Sequence, residues 1–255
     1  MVKILILDIE TAPKVALVWR FFKENISPKQ VLEHGHLISF AAKWYNEPDI
    51  IYHENRTENE KEIISLLVDL LNEADIVITH NGKQFDLPQI RARAVVNRIK
   101  PPSSVRMIDT CIIARKEFGF PSNSLEYLSD VMGCKIKKSS HKKFPGFELW
   151  LECLRGNPDA WMELRYYNIQ DVLVLEELYT NMIPWITNHP NVANQEENVE
   201  KILCPKCGSD HIQRRGYTYT NLHKYVRYQC QNCFGWARTR YSENKKNINL
   251  LTNEA

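Results

Sequence analysis

Two carboxylates stand at the end of an apolar run near the start of the chain. "KILILDIETAP" (3–13) takes Ile4 to Leu7 straight into Asp8, Ile9 and Glu10. Side chains alternate across a strand, so Asp8 and Glu10 point to one face. Like charges that close at the edge of a core raise each other's pKa and cost stability unless something neutralises them. A divalent cation would do so; the plainer reading is a strand that has simply ended in water. Two other stretches bear on the choice. "VITHNGKQFDLPQIRAR" (77–93) sets Asp86 just ahead of a helix with Pro88 in its first turn, which also suits a helix cap, and Asn81-Gly82 suits an ordinary turn. "RYYNIQDVLVLEELY" (165–179) reads as a helix and places Tyr167 and Asp171 four apart, on one face.

The elements that must carry these residues follow from periodicity. "HLISFAAKWY" and "DIIYHE" read as strands joined by the turn "NEPD", and "NEKEIISLLVDLLNEA" has its apolar residues at helical spacing. "DIVITH" and "VRMID" are short strands around the helix "LPQIRARAVVNR", and the residues from Thr110 to Asn188 are mostly helical. This order predicts a mixed α/β sheet. The stretch between the first two strands is irregular. Its Trp19, Phe21 and Phe22 are expected to pack, with base contact as the rival.

Together, D-x-E on the first strand, N-G-x-x-F-D after the fourth and Y-x-x-x-D on a late helix form a constellation. It resembles the DnaQ-like (DEDDy) 3′–5′ exonuclease superfamily over roughly residues 3–187. "DIETAP", "HNGKQFDLP" and "YNIQDV" look like its three motifs in order, and the second is similar to the proofreading domains of family-B DNA polymerases. The resemblance implies a ribonuclease-H-like fold: a mixed sheet flanked by helices. It also implies that Asp8, Glu10 and Asp171 hold one divalent ion, that Asp8 bridges to a second, and that Asp86 assists through water. Tyr167 would orient the attacking water. The chemistry agrees independently: phosphodiester hydrolysis needs a hydroxide nucleophile and a stabilised leaving oxygen, and two hard cations about 4 Å apart supply both. Carboxylate oxygens suit Mg²⁺ or Mn²⁺. By the same resemblance Asn81 contacts the terminal nucleotide, with the turn as its rival reading. Phe85 reads as core, with base stacking in the substrate site as the rival. Asp109 reads as a helix cap rather than a fifth ligand. The basic loop "KIKKSSHKK" (135–143) is solvated charge or a phosphate contact.

The last fifth of the chain has a different character. Residues 201–255 carry 10 Lys+Arg and 3 Asp+Glu, whereas residues 1–200 have a net charge of −5. Cys204, Cys207, Cys230 and Cys233 form two CxxC pairs with 22 residues between them. Four thiolates at this spacing predict one structural Zn²⁺ in a β ribbon, with no open position for catalysis. Basic and aromatic residues interleave there. Arg214, Arg215 and Arg227 are candidate phosphate contacts, and protein docking is the rival use of the ribbon. The ribbon resembles those at the N-termini of some insertion-sequence transposases.

The expected organisation is an exonuclease domain (1–187), a linker (188–200), a zinc ribbon (201–240) and a polar tail (241–255). No apolar run reaches the length of a membrane span and the N-terminus does not suit a signal peptide, so the expected location is cytoplasmic. At 255 residues the chain leaves no room for a polymerase domain, which implies a stand-alone nuclease. The reading is a metal-dependent 3′–5′ exonuclease acting on single-stranded nucleic acid, DNA ahead of RNA. The alternative is a catalytically silent nucleic-acid-binding adaptor, which should have lost at least one carboxylate. A transposase-like reading would need a differently spaced acid set and leaves Tyr167 unexplained.

Overall fold

The computed structural model describes residues 2–139, 141–195, 201–244 and 251. Most of the expected polar tail, and 196–200 of the expected linker, lie outside the described residues. The chain forms two compact units, Lys3–Thr180 and Asn181–Ala255 with Met1–Val2. Among the described residues, no helix is long and apolar enough to cross a membrane.

The first unit is built on β1 (Ile4–Thr11), β4 (Leu37–Trp44), β5 (Ile50–Glu54), β6 (Ile76–Thr79) and β7 (Arg106–Asp109), in the order β5-β4-β1-β6-β7. β1 is central. It pairs antiparallel with β4 and parallel with β6, so the sheet is mixed as expected. Alternation along β1 sorts its side chains. Leu5, Leu7 and Ile9 enter a core shared with Ile64, Leu67 and Leu71 of α1 (Lys61–Glu73) and Ile90 of α2 (Asp86–Val96). Asp8 and Glu10 therefore go to the opposite face. Full burial of each large aliphatic side chain in this core contributes about 1.5–3 kcal/mol, enough for the sheet to hold acids on its other side.

That other face is covered by α6 (Pro158–Met182), which follows α3 (Thr110–Glu117), α4 (Leu125–Val131) and α5 (Glu148–Leu154). α6 is registered on β4 by polar pairs two helical turns apart. Ser39 Oγ donates to Asn168 Oδ1 at 3.1 Å, and Lys43 Nζ meets Glu176 Oε1 at 2.7 Å. These pairs set the height and rotation at which α6 presents Tyr167 and Asp171.

The irregular stretch after β1 holds a small two-stranded sheet, β2 (Val15–Ala16) with β3 (Val31–Glu33). Packing was the expectation for its aromatics, and the structure corrects it: Trp19 and Phe21 are 93% exposed and Phe22 83%. The loop folds on its own polar network and offers these rings no neighbouring core. Phe85, at 40% exposure, is likewise not a core residue.

The second unit carries a three-stranded antiparallel sheet, β10-β9-β8, made from β8 (Ile212–Tyr219), β9 (Lys224–Cys230) and β10 (Trp236–Arg238). β8 is bulged between Arg214 and Tyr217, where Gly216 adopts φ +76°.

Candidate active site

β1 supplies Asp8 and Glu10, and both are half-buried where α6 crosses the sheet. Asn168 of α6 donates from Nδ2 to Asp8 Oδ2 at 2.6 Å, while its own Oδ1 is held by Ser39. The Trp150 indole N–H of α5 donates to Glu10 Oε2 at 3.0 Å. His141 and Tyr167 stack edge-on around this indole, with ring centroids 5.5 and 6.2 Å from it.

The second motif is folded by its neighbours. Asn81 takes a left-handed φ of 67°, and a Cβ at Gly82 would overlap the Thr79 side chain, so only glycine lets the loop turn here. Asp109 caps α3 by accepting from Cys111 N and Ile112 N at 3.1 Å. It also accepts from Asn81 N and Lys83 N at 3.0 Å, joining the cap to the motif loop. The cap reading of Asp109 therefore holds. Asp86 opens α2 but makes no side-chain cap; its carboxylate accepts from its own N–H and from Ile9 N–H on β1, which draws it to the end of that strand.

The four carboxyls act on one another. Burial raises Asp8 well above the carboxylate range, and Glu10, Asp86 and Asp171 add to the rise. Burial lifts Glu10 to about 8, against the Trp150 hydrogen bond and with help from Asp171. Asp86 rises to about 7, mainly through burial, and Asp171 rises through burial despite Lys138. Lys138 Nζ lies 2.8 Å from Asp171 Oδ2 and 4.8 Å from the Tyr167 ring centroid. Burial works against the Lys138 charge, but the Asp171 carboxylate outweighs it and holds the ammonium protonated. Burial and Asp171 push the Tyr167 phenol up to about 12.

The donor set fits a hard cation. Asp171 Oδ1 is buried with no hydrogen-bond partner, and so is Asn81 Oδ1. A buried carboxylate oxygen left bare costs the desolvation of that group, which an ion would offset. The four acids are not drawn tightly together. Among the described residues, the cysteine quartet is the one group of three or more His, Cys, Asp or Glu with ligand atoms all within 4.8 Å of one another. Each acid leans on a different partner: Asn168, Trp150, Ile9 N–H or Lys138.

These shifts set a pH dependence. An ordinary carboxyl ionises near pH 4. Above that, the unfolded chain has lost protons that the folded site retains up to about pH 7–8. The folded state binds more protons over this range, so stability falls as pH rises. We expect metal-free melting temperature to decline between pH 5 and 8 by more in wild type than in Asp8→Asn, checked by thermal melts across that range. Equal declines would mean that the acids do not repel one another.

In the second unit, Cys204 Sγ lies 3.6 Å from Cys233 Sγ and Cys207 Sγ 3.7 Å from Cys230 Sγ. Backbone N–H groups of Asn232 and Cys233 donate to Cys230 Sγ, as expected around thiolates that hold a metal. Arg214 Nη2 donates to Tyr217 Oη at 2.7 Å, Arg215 Nε reaches Gln229, and the Arg227 guanidinium lies 4.7 Å from the Trp236 ring centroid. The acids thus belong to one unit, and the cysteines and the three arginines to the other.

Sequence reasoning missed Asn168 and Trp150, and took Lys138 only as one charge of a basic loop. Asn168 carried a signal, since it sits three residues before Asp171 on one helix; Trp150 carried none.

A family model described as the RNase_H superfamily matches residues 5–183. A DNA polymerase of Methanocaldococcus jannaschii is 37% identical over 62 residues, 24% of this chain and 3% of that protein. The structure of a family B DNA polymerase from the hyperthermophilic archaeon Pyrobaculum calidifontis matches with a TM-score of 0.48 and 18% identity, covering 73% of this chain and 26% of that one. The chain thus spans a small part of either polymerase. The family match runs from the acid-bearing strand β1 through the helix that carries Tyr167 and Asp171, and the chain belongs to the RNase_H superfamily.

Proposed function

We propose that the chain is a metal-dependent 3′–5′ exonuclease of the DEDDy type, hydrolysing single-stranded nucleic acid, DNA in preference to RNA, from the 3′ end. The observation that carries this reading is the buried Asp171 Oδ1, left without a hydrogen-bond partner on the helix that packs over Asp8. Asp8, Glu10 and Asp171 would hold one Mg²⁺ or Mn²⁺, Asp8 would share a second, and Asp86 would act through water. When bound, such a pair supplies a hydroxide nucleophile and stabilises both the attacking and the leaving oxygen.

The chain's own side chains prepare the site. Asn168 and Trp150 fix the orientation of Asp8 and Glu10. Tyr167 stays protonated at neutral pH beside Asp171 and Lys138, and its O–H would orient the attacking water once metal is bound. Asn81, whose Oδ1 is buried without a partner, would contact the terminal nucleotide. Beside Tyr167, an open cavity of about 430 Å³ is lined by Lys138, His141 and Lys142, with Glu126 also in its lining, and its lysines would meet the phosphates of a bound strand. The four cysteines would hold one structural zinc, and Arg214, Arg215 and Arg227 would help bind the substrate backbone.

Tyr167→Phe is expected to leave metal affinity unchanged and to slow single-turnover hydrolysis by about a hundredfold, because only the water-positioning hydroxyl is lost. Unchanged turnover would remove Tyr167 from the chemistry. The function itself is tested with matched DNA and RNA strands whose 3′ ends are free or blocked, with Mg²⁺ or Mn²⁺. Stepwise release of mononucleotides from free 3′ ends alone is expected. No cleavage of any strand would instead favour a silent binding adaptor.

A further inference from the structure

The aromatic loop that follows β1 has no part in the chemistry above. Between β2 and β3 it is ordered by its own polar groups. The Glu24 carboxylate accepts from Trp19 N at 2.9 Å, Arg20 N at 2.7 Å and Gln30 Nε2 at 2.8 Å. Gln30 also donates to Leu17 O and accepts from Ser27 N. The backbone is satisfied inside the loop while Trp19, Phe21 and Phe22 point outward, at 93, 93 and 83% exposure. Leu17, Ile26 and Leu32 are exposed beside them in sequence. Single exposed apolar residues need no explanation, but a run of them on an ordered loop marks a contact surface.

The charge of the loop indicates what it contacts. Residues 14–30 hold Lys14, Arg20, Lys23 and Lys29 against Glu24 alone, inside a 200-residue stretch whose net charge is −5. Rings interleaved with cations match a strand that has a π face on every base and an anion at every linkage. The loop is also tied to the end of the acid-bearing strand, since Ala12 N, just past β1, donates to His36 O at 2.8 Å.

We propose that Trp19, Phe21 and Phe22 form a stacking platform for the bases of a single-stranded nucleic acid, with Arg20 and Lys23 at its phosphates. This rests on the nuclease reading, because it supplies the strand. Acids that repel phosphates need a grip that does not depend on charge, and base stacking provides one.

The test uses the full-length zinc-loaded protein without added Mg²⁺ or Mn²⁺. Fluorescence anisotropy compares a single-stranded oligonucleotide with the same backbone carrying a run of abasic sites. Wild type is expected to prefer the intact strand by about tenfold or more, the gain from one or two stacked bases. The triple variant Trp19→Ala/Phe21→Ala/Phe22→Ala should bind both strands alike, with unchanged melting temperature and unchanged salt dependence. A triple variant that keeps the preference overturns the proposal. So does sedimentation in which wild type self-associates through the loop, the variant does not, and oligonucleotide affinity is equal. Cleavage of a dinucleotide with Mn²⁺ separates the two readings: a wild type that cuts no strand yet prefers intact bases sinks the nuclease reading and leaves the platform standing.

Discussion

Asp8→Asn should reduce single-turnover cleavage by about a thousandfold or more, the loss expected when several kcal/mol of metal-borne transition-state stabilisation disappears. The same substitution should leave the metal-free protein at least as stable as wild type. Asp8 lies among Glu10, Asp86 and Asp171, and burial already works against its charge. A neutral amide removes that repulsion and still offers an oxygen to Asn168 Nδ2, which lies 2.6 Å from Asp8 Oδ2. Activity and stability therefore move in opposite directions, which is characteristic of a site built for an absent charge rather than for the fold. Thermal melts without metal, read beside single-turnover rates, check both halves. A variant that unfolds would make Asp8 a structural residue.

Zinc removal should have the second large effect, confined to the ribbon. Four thiolates in so small a β unit have little core to fall back on, and structural zinc in isolated fingers contributes about 10–16 kcal/mol at neutral pH. Stripping the metal is expected to collapse the β8–β9–β10 amide signals in NMR spectra while those of β1 and β4 persist. Cleavage of a short strand should survive. Affinity for a long strand should fall, and the dependence of log affinity on log salt should flatten by about 0.7–0.9 for each lost phosphate contact. An unchanged slope with the ribbon unfolded would assign Arg214, Arg215 and Arg227 to a protein partner.

The order of strands and helices was legible because each rests on local periodicity. Leu5, Leu7 and Ile9 on β1 and the apolar face of α1 declare their core side in sequence. Alternation alone put Asp8 and Glu10 on a common face, and that face is the one α6 crosses. What holds the acids was not legible. Trp150 reaches Glu10 across 140 residues and Lys138 reaches Asp171 across 33, and no local pattern encodes either contact. The aromatic loop was misread for a related reason. Aromatic side chains are buried on average, so packing is the default for Trp19, Phe21 and Phe22. Their exposure depends on the Glu24–Gln30 network turning the backbone inward, which residue type does not announce.

Asp8, Glu10 and Asp171 are expected to hold the catalytic cations. Anomalous diffraction from crystals of the full chain soaked in Mn²⁺ tests it most directly. Manganese is expected on the Asp8, Glu10 and Asp171 carboxylates, with Lys138 displaced from Asp171. Crystals with manganese bound elsewhere, those carboxylates bare and Lys138 still paired to Asp171 would contradict it.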